Sequence, residues 1–449
     1  MPTKMKLQTF AMGGVHPSGS KLSASEAIKV MPVPETVYIP AAQHIGKPAE
    51  IIVQKGDKVK TGQLIAKASG FMSANIHSSV SGTVTAVGPV PDPSGNPKMG
   101  VTIKVEGDEW EESIDRSETL DTNVEKFSPQ DIIKRISDAG IVGMGGATFP
   151  AHVKFTVPLE KKAEALLING VECEPYLTAD HRVMLEKSEQ LMVGIKLIMR
   201  AVNTEKAFIG IEANKPDAIE KLTELSRKYA GIKVVPLALK YPQGSEKHLI
   251  KAIMNREVPS TKLPIDVGAV VSNAGTAVAV YEAVMKNKPL FERVVTVTGN
   301  SVKNPSNFLA RIGTPVSLLI EAAGGLPEDT GKVISGGPMM GKAAVNTEFP
   351  VAKGTSGVLI MPEELAHRRE PEPCIRCGKC VDACPMGLEP YLLSVLARKK
   401  MWDECEEHYI YDCIECGCCV YSCPAARPLL DYIRLGKSTV MGIIRSRKK

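Results

Sequence analysis

Several things are scarce in this 449-residue chain, and each scarcity narrows its chemistry. No stretch approaches the roughly 18 consecutive apolar residues that a membrane-spanning helix needs. The opening MPTKMKLQTF lacks the apolar core of a secretory signal, so a cytosolic location is expected, with any membrane contact made through partners. Charge of one sign is not in excess. The 55 basic and 50 acidic residues leave a formal net charge of +5, too balanced for a nucleic-acid binder, and no nucleic-acid partner is expected. Cysteine is almost absent from the first 373 residues, where only Cys173 occurs. That excludes a distributed disulfide framework and places a metal module at the C-terminal end, where the other cysteines gather. The length and the 43% hydrophobic content are those of a globular chain with three or four domains.

From Val37 to Val105 short strands are broken by glycine, in the phrases "VQKGDKVKTGQLIA" and "SSVSGTVTAV". This resembles a lipoyl or biotinyl barrel-sandwich domain. Such carriers offer a lysine on an exposed hairpin, but the corresponding stretch here is Gly70-Phe71-Met72, so a docking or spacer module is expected and not a swinging arm. A helix is predicted from Ser128 to Gly140. Ser128 is the N-cap, Pro129 the first position, Ile132, Ile133 and Ile136 the apolar face, and Gly140 the residue past the end. Apolar strands follow at 165–169, 207–211, 232–237 and 268–273. Between them one helical face runs through Leu185, Met192, Ile195, Met199 and Val202, and another through Ile219, Leu222, Leu225 and Tyr229, closed by Gly231. Alternating strand and helix predicts an α/β layer with a mainly parallel sheet. Strand, helix and strand with glycine corners between Arg293 and Val345 predict a small β-grasp-like unit, and "HRREPEP" at 367–373 has the composition of a linker. The expected domains are 1–110, 125–290, 291–350 and 365–435, making a multidomain α/β chain.

The strongest motif is Cys374-x-x-Cys377-x-x-Cys380-x-x-x-Cys384-Pro385, repeated as Cys413-x-x-Cys416-x-x-Cys419-x-x-x-Cys423-Pro424. Three cysteines at this spacing wrap one corner of a [4Fe-4S] cubane, and the fourth, before a chain-turning proline, projects toward the other cluster. Cys374, Cys377, Cys380 and Cys423 are therefore expected to hold one cluster, and Cys413, Cys416, Cys419 and Cys384 the second. Zinc sites favour paired C-x2-C halves without the doubled three-plus-one pattern. Leucines at helical spacing between the motifs predict a helical ferredoxin-like domain, with Cys405 and Cys418 as bystanders. Arg445, Arg447, Lys448 and Lys449 read as a solvated basic tail.

A second constellation begins at Gly143-Met144-Gly145-Gly146-Ala147-Thr148-Phe149-Pro150, with Lys154 just beyond. Its glycines let the backbone approach a flat ring or a phosphate, and a lysine balances negative charge on either. A Rossmann fingerprint after a strand is missing. The next segment, Asn169-Gly170-Val171-Glu172-Cys173-Glu174-Pro175, sits at the end of an apolar strand, where open α/β sheets bind ligands. Cys173 is read as a packing residue. These two segments resemble the NADH- and FMN-binding flavoprotein subunit of respiratory complex I, and the weaker phrases Tyr241-Pro242-Gln243-Gly244-Ser245-Glu246 and Ser272-Asn273-Ala274-Gly275-Thr276 continue the match in order. With Phe10-Ala11-Met12-Gly13-Gly14-Val15-His16-Pro17, the barrel-sandwich unit and the doubled cysteine motif, the whole chain resembles the C subunits of Rnf electron-transport complexes.

That resemblance implies that Gly143, Gly145, Gly146, Lys154, Asn169, Glu172, Gly244, Asn273 and Thr276 line a non-covalent FMN, with Phe149, Glu174 and Glu246 on the side of the nicotinamide nucleotide. Met144 stands where arginine is usual and Val171 where an acidic residue is usual, a loss of two polar contacts and not of the cofactor. A nicotinamide exchanges two electrons and a cubane one, so a flavin between them is required. No acid or base catalyst is assigned. The implied complex links NAD(H) to ferredoxin, met through a partner subunit, and couples this to sodium or proton movement. The chain itself would be a peripheral subunit at the cytoplasmic face of the membrane, held there by its partners. Two other readings are a soluble flavin/iron-sulfur reductase of the cobalamin-reductase type, against which the GGVHP phrase and the barrel-sandwich speak, and a two-cluster electron-wire scaffold without flavin, to which Met144 and Val171 lend support.

Overall fold

The computed structural model describes residues 7–447. Its N-terminal unit is built from hairpins. An antiparallel sheet runs in the order Thr36–Pro40, Lys98–Val105, Gly82–Val90, Lys58–Val59, faced by a three-stranded sheet of Glu50–Ile51, Leu64–Lys67 and Ile76–His77. Alternation decides which side chains enter: Val37 and Ile39 from the first strand and Val101 and Ile103 from its neighbour are buried, as are Ile65 and Ile76 from the facing sheet. Residues before Thr36 leave this unit. Gln8 bridges Leu237, Val15 bridges Tyr241, and Ile28–Val30 pairs in parallel with Ser306–Arg311 far along the chain.

The central unit is a four-stranded parallel sheet in the order Ile232–Leu237, Ala207–Glu212, Ala165–Asn169, Ala269–Asn273. The chain steps outward from the Ala165–Asn169 strand in one direction and returns on its other side. A topological switch point therefore lies between that strand and Ala269–Asn273, where α/β sheets bind ligands. Register puts Asn169 beside Asn273 at the C-terminal ends of these two strands.

The helix Pro129–Asp138 forms as predicted, with Ser128 and Asp131 completing a reciprocal capping box and Gly140 in the left-handed region at φ +64°. One expected helical face is in fact two helices, Ala179–Glu186 and Ser188–Ala201, separated at Lys187. The break lets the second helix lie flat on Ala274–Lys286, where Gly194 is so close that a Cβ would fall 1.9 Å from the Ala277 carbonyl oxygen. The other face ends earlier than its apolar spacing suggests: Pro216–Ser226 is helical, and Tyr229 lies in the turn that Gly231 closes at φ +86°.

The third unit is larger than the strand-helix-strand pattern foretold. Six strands, Ile28–Val30, Ser306–Arg311, Glu292–Thr298, Gly357–Pro362, Thr330–Ser335 and Lys342–Ala343, form one mixed sheet in that order, packed on the helix Val316–Ala322. The C-terminal unit is helical, with Lys379–Asp382 and Cys418–Tyr421 in the two cysteine motifs and Pro390–Arg398, Trp402–Glu407 and Leu429–Arg447 around them. The doubled motif repeats in its backbone. Arg376 and Glu415 both take φ +56°, and the glycines that follow take +76° and +81°. Of the basic end, Arg447 pairs with Asp403 and Glu406 on the surface, while Lys448 and Lys449 lie outside the described residues. No helix among the described residues is long and apolar enough to cross a membrane.

Candidate functional site

Two adjoining cavities hold all the site residues singled out from the sequence except Cys374, Cys377, Cys380 and Cys423. The larger, about 1370 Å³, opens over the switch point. That exceeds the roughly 300–1,000 Å³ of a site for one small ligand. Every residue expected to touch flavin or nicotinamide nucleotide lines it: Gly143, Gly145, Gly146, Phe149, Lys154, Asn169, Glu172, Glu174, Gly244, Glu246, Asn273 and Thr276.

Most of the polar side chains in this group hold the walls in shape. The glycine-rich loop is closed by Gly143 N–H donating to the Phe149 carbonyl, 2.8 Å, and is fixed to the helix Ala274–Lys286 by Met144 N–H donating to Thr276 Oγ1, 2.9 Å. Asn273 caps that helix by accepting from Thr276 N–H, 3.1 Å, and its amide donates to Asp180, 2.6 Å. Asn169 accepts from Val171 N–H and donates to the Gly244 carbonyl, 2.8 Å, tying the 171–177 loop to the 241–246 turn. The Glu172 carboxylate accepts from the N–H groups of Asp180 and His181, at the start of Ala179–Glu186. Beneath the loop two buried ammonium groups grip carbonyls: Lys21 those of Glu172, Glu174 and Leu177, and Lys215 that of Val171, 2.7 Å. Cys173 Sγ accepts from Gly244 N–H at 3.4 Å, and burial pushes its thiol up to about 12, which suits packing and not nucleophilic chemistry.

The carboxylates expected on the nucleotide side already have partners. Glu174 accepts from Met339 and Met340 N–H, 3.2 and 2.7 Å, and burial raises it to about 7 against the pull of those two bonds. Gly337 leaves room for this, since a Cβ there would lie 2.4 Å from Glu174 Oε2. Glu246 pairs with Lys154 at 2.8 Å. Each carboxylate keeps lone pairs for further donors.

A flavin fits this lining by two observations. Gly146, at φ +116°, has nothing within 4 Å of where a Cβ would stand, so backbone there is bare to the cavity. Ser272 belongs to the cavity wall, and its Oγ is buried without a hydrogen-bond partner. Sequence reasoning passed over Arg293, buried in the third unit, whose guanidinium reaches the Met144 carbonyl at 3.5 Å. It brings a positive charge to the loop that lacks arginine at position 144. No local pattern announces a residue 149 positions away.

The smaller cavity is lined by Cys384, Cys413, Cys416 and Cys419, one expected ligand from the first motif and three from the second, and also by Cys418. Burial raises the Cys380 thiol, with a smaller contribution from the charges of Cys423 and Cys374, one from the second motif and one from its own. Cys384, Cys413, Cys416 and Cys419 face a common space. A cubane needs such an arrangement, so the residues fit the cluster. Cys384, Cys416 and Cys419 are buried, whereas Cys374 and Cys377 are exposed. Cys405 and Cys418 are fully buried; Cys405 packs in the helical core and Cys418 against the Tyr241 carbonyl. Ile414 lines both cavities, and the Tyr241 hydroxyl donates to the Cys416 carbonyl, 2.9 Å, from the flavin side.

A parallel-sheet flavin cavity abutting a cysteine-ringed cavity, with a second complete cysteine motif in the same helical unit, defines a flavin- and iron-sulfur-dependent electron-transfer protein. Comparison with known proteins specifies the kind. Four family models match in order: RnfC Barrel sandwich hybrid domain at 9–108, Nuo51 FMN-binding domain at 136–282, SLBB domain at 294–343 and 4Fe-4S dicluster domain at 366–424. The chain is 49% identical to the C subunit of the proton-translocating ferredoxin:NAD(+) oxidoreductase complex of Clostridium ljungdahlii, over 95% of this chain and 93% of that one. It is 46% identical to the C subunit of the Na(+)-translocating ferredoxin:NAD(+) oxidoreductase complex of Acetobacterium woodii, over 96% of each. The chain belongs to the family of C subunits of these ion-translocating Rnf complexes. An NAD+-reducing [NiFe]-hydrogenase in its H2-reduced state shares the fold at a TM-score of 0.51 and 18% identity, over 72% of this chain and 65% of that one.

Proposed function

We propose that this chain exchanges a hydride equivalent with NAD(H) at a non-covalent FMN and passes single electrons through two [4Fe-4S] clusters to partner subunits, linking NAD to ferredoxin and to sodium or proton translocation. It docks peripherally on the cytoplasmic face of the membrane, held by those partners. The observation that carries this reading is the shared wall: Ile414, between two cluster cysteines, also lines the cavity formed by the glycine-rich loop. When bound, FMN accepts two electrons from a nicotinamide and releases them singly, and each cubane relays one.

The chain's own residues do the positioning. Gly146 presents bare backbone to the flavin, Gly143 and Gly145 let the loop pack against Phe149 and Asn273, Asn169, Gly244, Asn273 and Thr276 hold the surrounding loops in register, and Lys154 supplies positive charge. Glu172 fixes the loop entrance. Phe149, Glu174 and Glu246 border the nucleotide, the carboxylates offering acceptors for ribose hydroxyls. Tyr241 and Ile414 form the protein wall between the two cavities. Burial of Cys384, Cys416 and Cys419 makes theirs the inner cluster site, and exposure of Cys374 and Cys377 makes theirs the outer one, facing the partner.

The test is anaerobic purification followed by iron, sulfide and flavin analysis and NADH titration. About eight irons and one FMN whose visible band bleaches with NADH are expected. Eight irons without flavin, even after FMN is supplied, would establish the scaffold reading instead.

A further inference from the structure

The proposed electron path leaves one wall of the large cavity without a task. That wall comes from the barrel-sandwich unit: Gln43, His44 and Ile45 from one loop, and Phe71 from the hairpin tip where carrier domains present a lysine. Both loops are bolted in place. Ile45 N–H donates to the Thr148 carbonyl of the glycine-rich loop, 3.3 Å, and the His152 ring nitrogen lies 3.1 Å from the Phe71 carbonyl. The His152 ring also meets Phe71 edge-on, centroids 6.0 Å apart. Gly46, at φ +107°, brings the two loops together, since a Cβ there would fall 2.0 Å from the Met72 carbonyl oxygen. Lys47 N–H donates to that same oxygen, 3.1 Å.

On this rigid support Phe71 is nevertheless 63% exposed and Ile45 49%. A fixed, solvent-facing aromatic at a cavity mouth is a stacking surface held ready, because its ordering cost is met in advance by the packing around it. The cluster end of the cavity is marked by Ile414 and Tyr241, and the barrel strands make no substantial contact with the cysteine-bearing helices among the described residues. A nicotinamide engaged with flavin near the clusters therefore sends the rest of its dinucleotide away from them, and the cavity has volume for both ligands.

We propose that Phe71, supported by Ile45, stacks on the adenine base of the bound dinucleotide, so that the barrel-sandwich domain selects NAD(H) over nicotinamide mononucleotide. This rests on the proposal that the cavity accepts NAD(H). Phe71 acts on substrate affinity and takes no part in electron transfer.

The experiment compares full-length holoprotein with Phe71→Ala and Phe71→Tyr, measuring oxidation of NADH and of reduced nicotinamide mononucleotide with a one-electron dye as acceptor. Phe71→Ala is expected to raise the KM for NADH about ten-fold with kcat unchanged, leaving the mononucleotide kinetics and the flavin and iron contents as they were. Phe71→Tyr is expected to restore the NADH value. An unchanged KM for NADH in Phe71→Ala, or equal weakening of both substrates, overturns the assignment. Failure of the parent reading shows separately, as wild-type holoprotein that bleaches with neither substrate, and it takes this inference with it.

Discussion

At the scale of single residues the distribution of cysteine ligands has the sharpest consequences. Cys384 belongs in sequence to the first motif and in space to the ring formed by Cys413, Cys416 and Cys419. Cys423, the matching last cysteine of the second motif, acts electrostatically on Cys380 of the first. Cys384→Ser is therefore expected to abolish the signal of the cluster held by the second motif, and Cys423→Ser that of the first, read by electron paramagnetic resonance on the anaerobically reduced protein. Loss of only the same-motif cluster in each variant would contradict crossed ligation. Spacing plus the trailing proline is what leads to this expectation, because a tripeptide step fixes which thiols can share one cubane corner. The roles of Glu174 and Arg293 were not legible in the same way. Glu174 finds its amide partners at Met339 and Met340, and Arg293 its carbonyl partner at Met144, across distances that no local pattern encodes.

At the scale of elements the N-terminal segment is the least expected feature. Its phrase Phe10–Pro17 carried the family resemblance without a physical task, and the structure supplies one. Gly14 N–H donates to the Ala383 carbonyl, 3.0 Å, while Gly13, at φ +62°, sits against the turn that presents Cys384. A Cβ on Gly13 would lie 2.4 Å from the Cys384 carbonyl oxygen and 2.7 Å from the Pro385 nitrogen. Phe10 packs edge-on against His248, whose ring nitrogen lies 3.0 Å from the Pro385 carbonyl. The segment thus braces the inner cluster site from outside its own domain. Gly13→Ala combines a left-handed backbone cost of roughly 1–2 kcal/mol with a clash against main chain that cannot turn aside. The expected result is selective loss of the cluster on Cys384, Cys413, Cys416 and Cys419, so that iron falls from about eight to about four per chain while FMN is retained. Iron and flavin analysis of the variant decides it; full iron content would show that the turn yields.

At the scale of the whole molecule one side chain joins three domains. Lys353, fully buried, donates from Nζ to the carbonyls of Asn75 in the barrel-sandwich, 2.6 Å, and of Gly140 in the flavin domain, 2.7 Å, and its own N–H donates to Gln43, 2.9 Å. Lys353→Met fills similar space but leaves two buried carbonyls without donors, at about 1–3 kcal/mol each. A lower thermal midpoint is expected, together with faster flavin release, measured by calorimetry and by fluorescence of free FMN; an unchanged midpoint would mean water takes the vacant place. The sequence alone determined the local matters. It set the parallel sheet through alternating apolar strands, the hairpin unit through glycine-punctuated alternation, the helix at Pro129 through its cap, and the presence of a two-cluster module through the spacing of its cysteines. Each of these is signalled by patterns that repeat within about a dozen residues. Tertiary structure decided the rest. It broke one apolar face at Lys187 so that two helices could pack, enlisted Ile28–Val30 and Gly357–Pro362 into a sheet whose centre lies elsewhere, set Phe71 at the mouth of a cavity built by another domain, and placed Ile414 in the wall between the flavin and cluster sites. Those outcomes follow from close packing between segments hundreds of residues apart, where shape and unpaired polar groups select partners that periodicity cannot name.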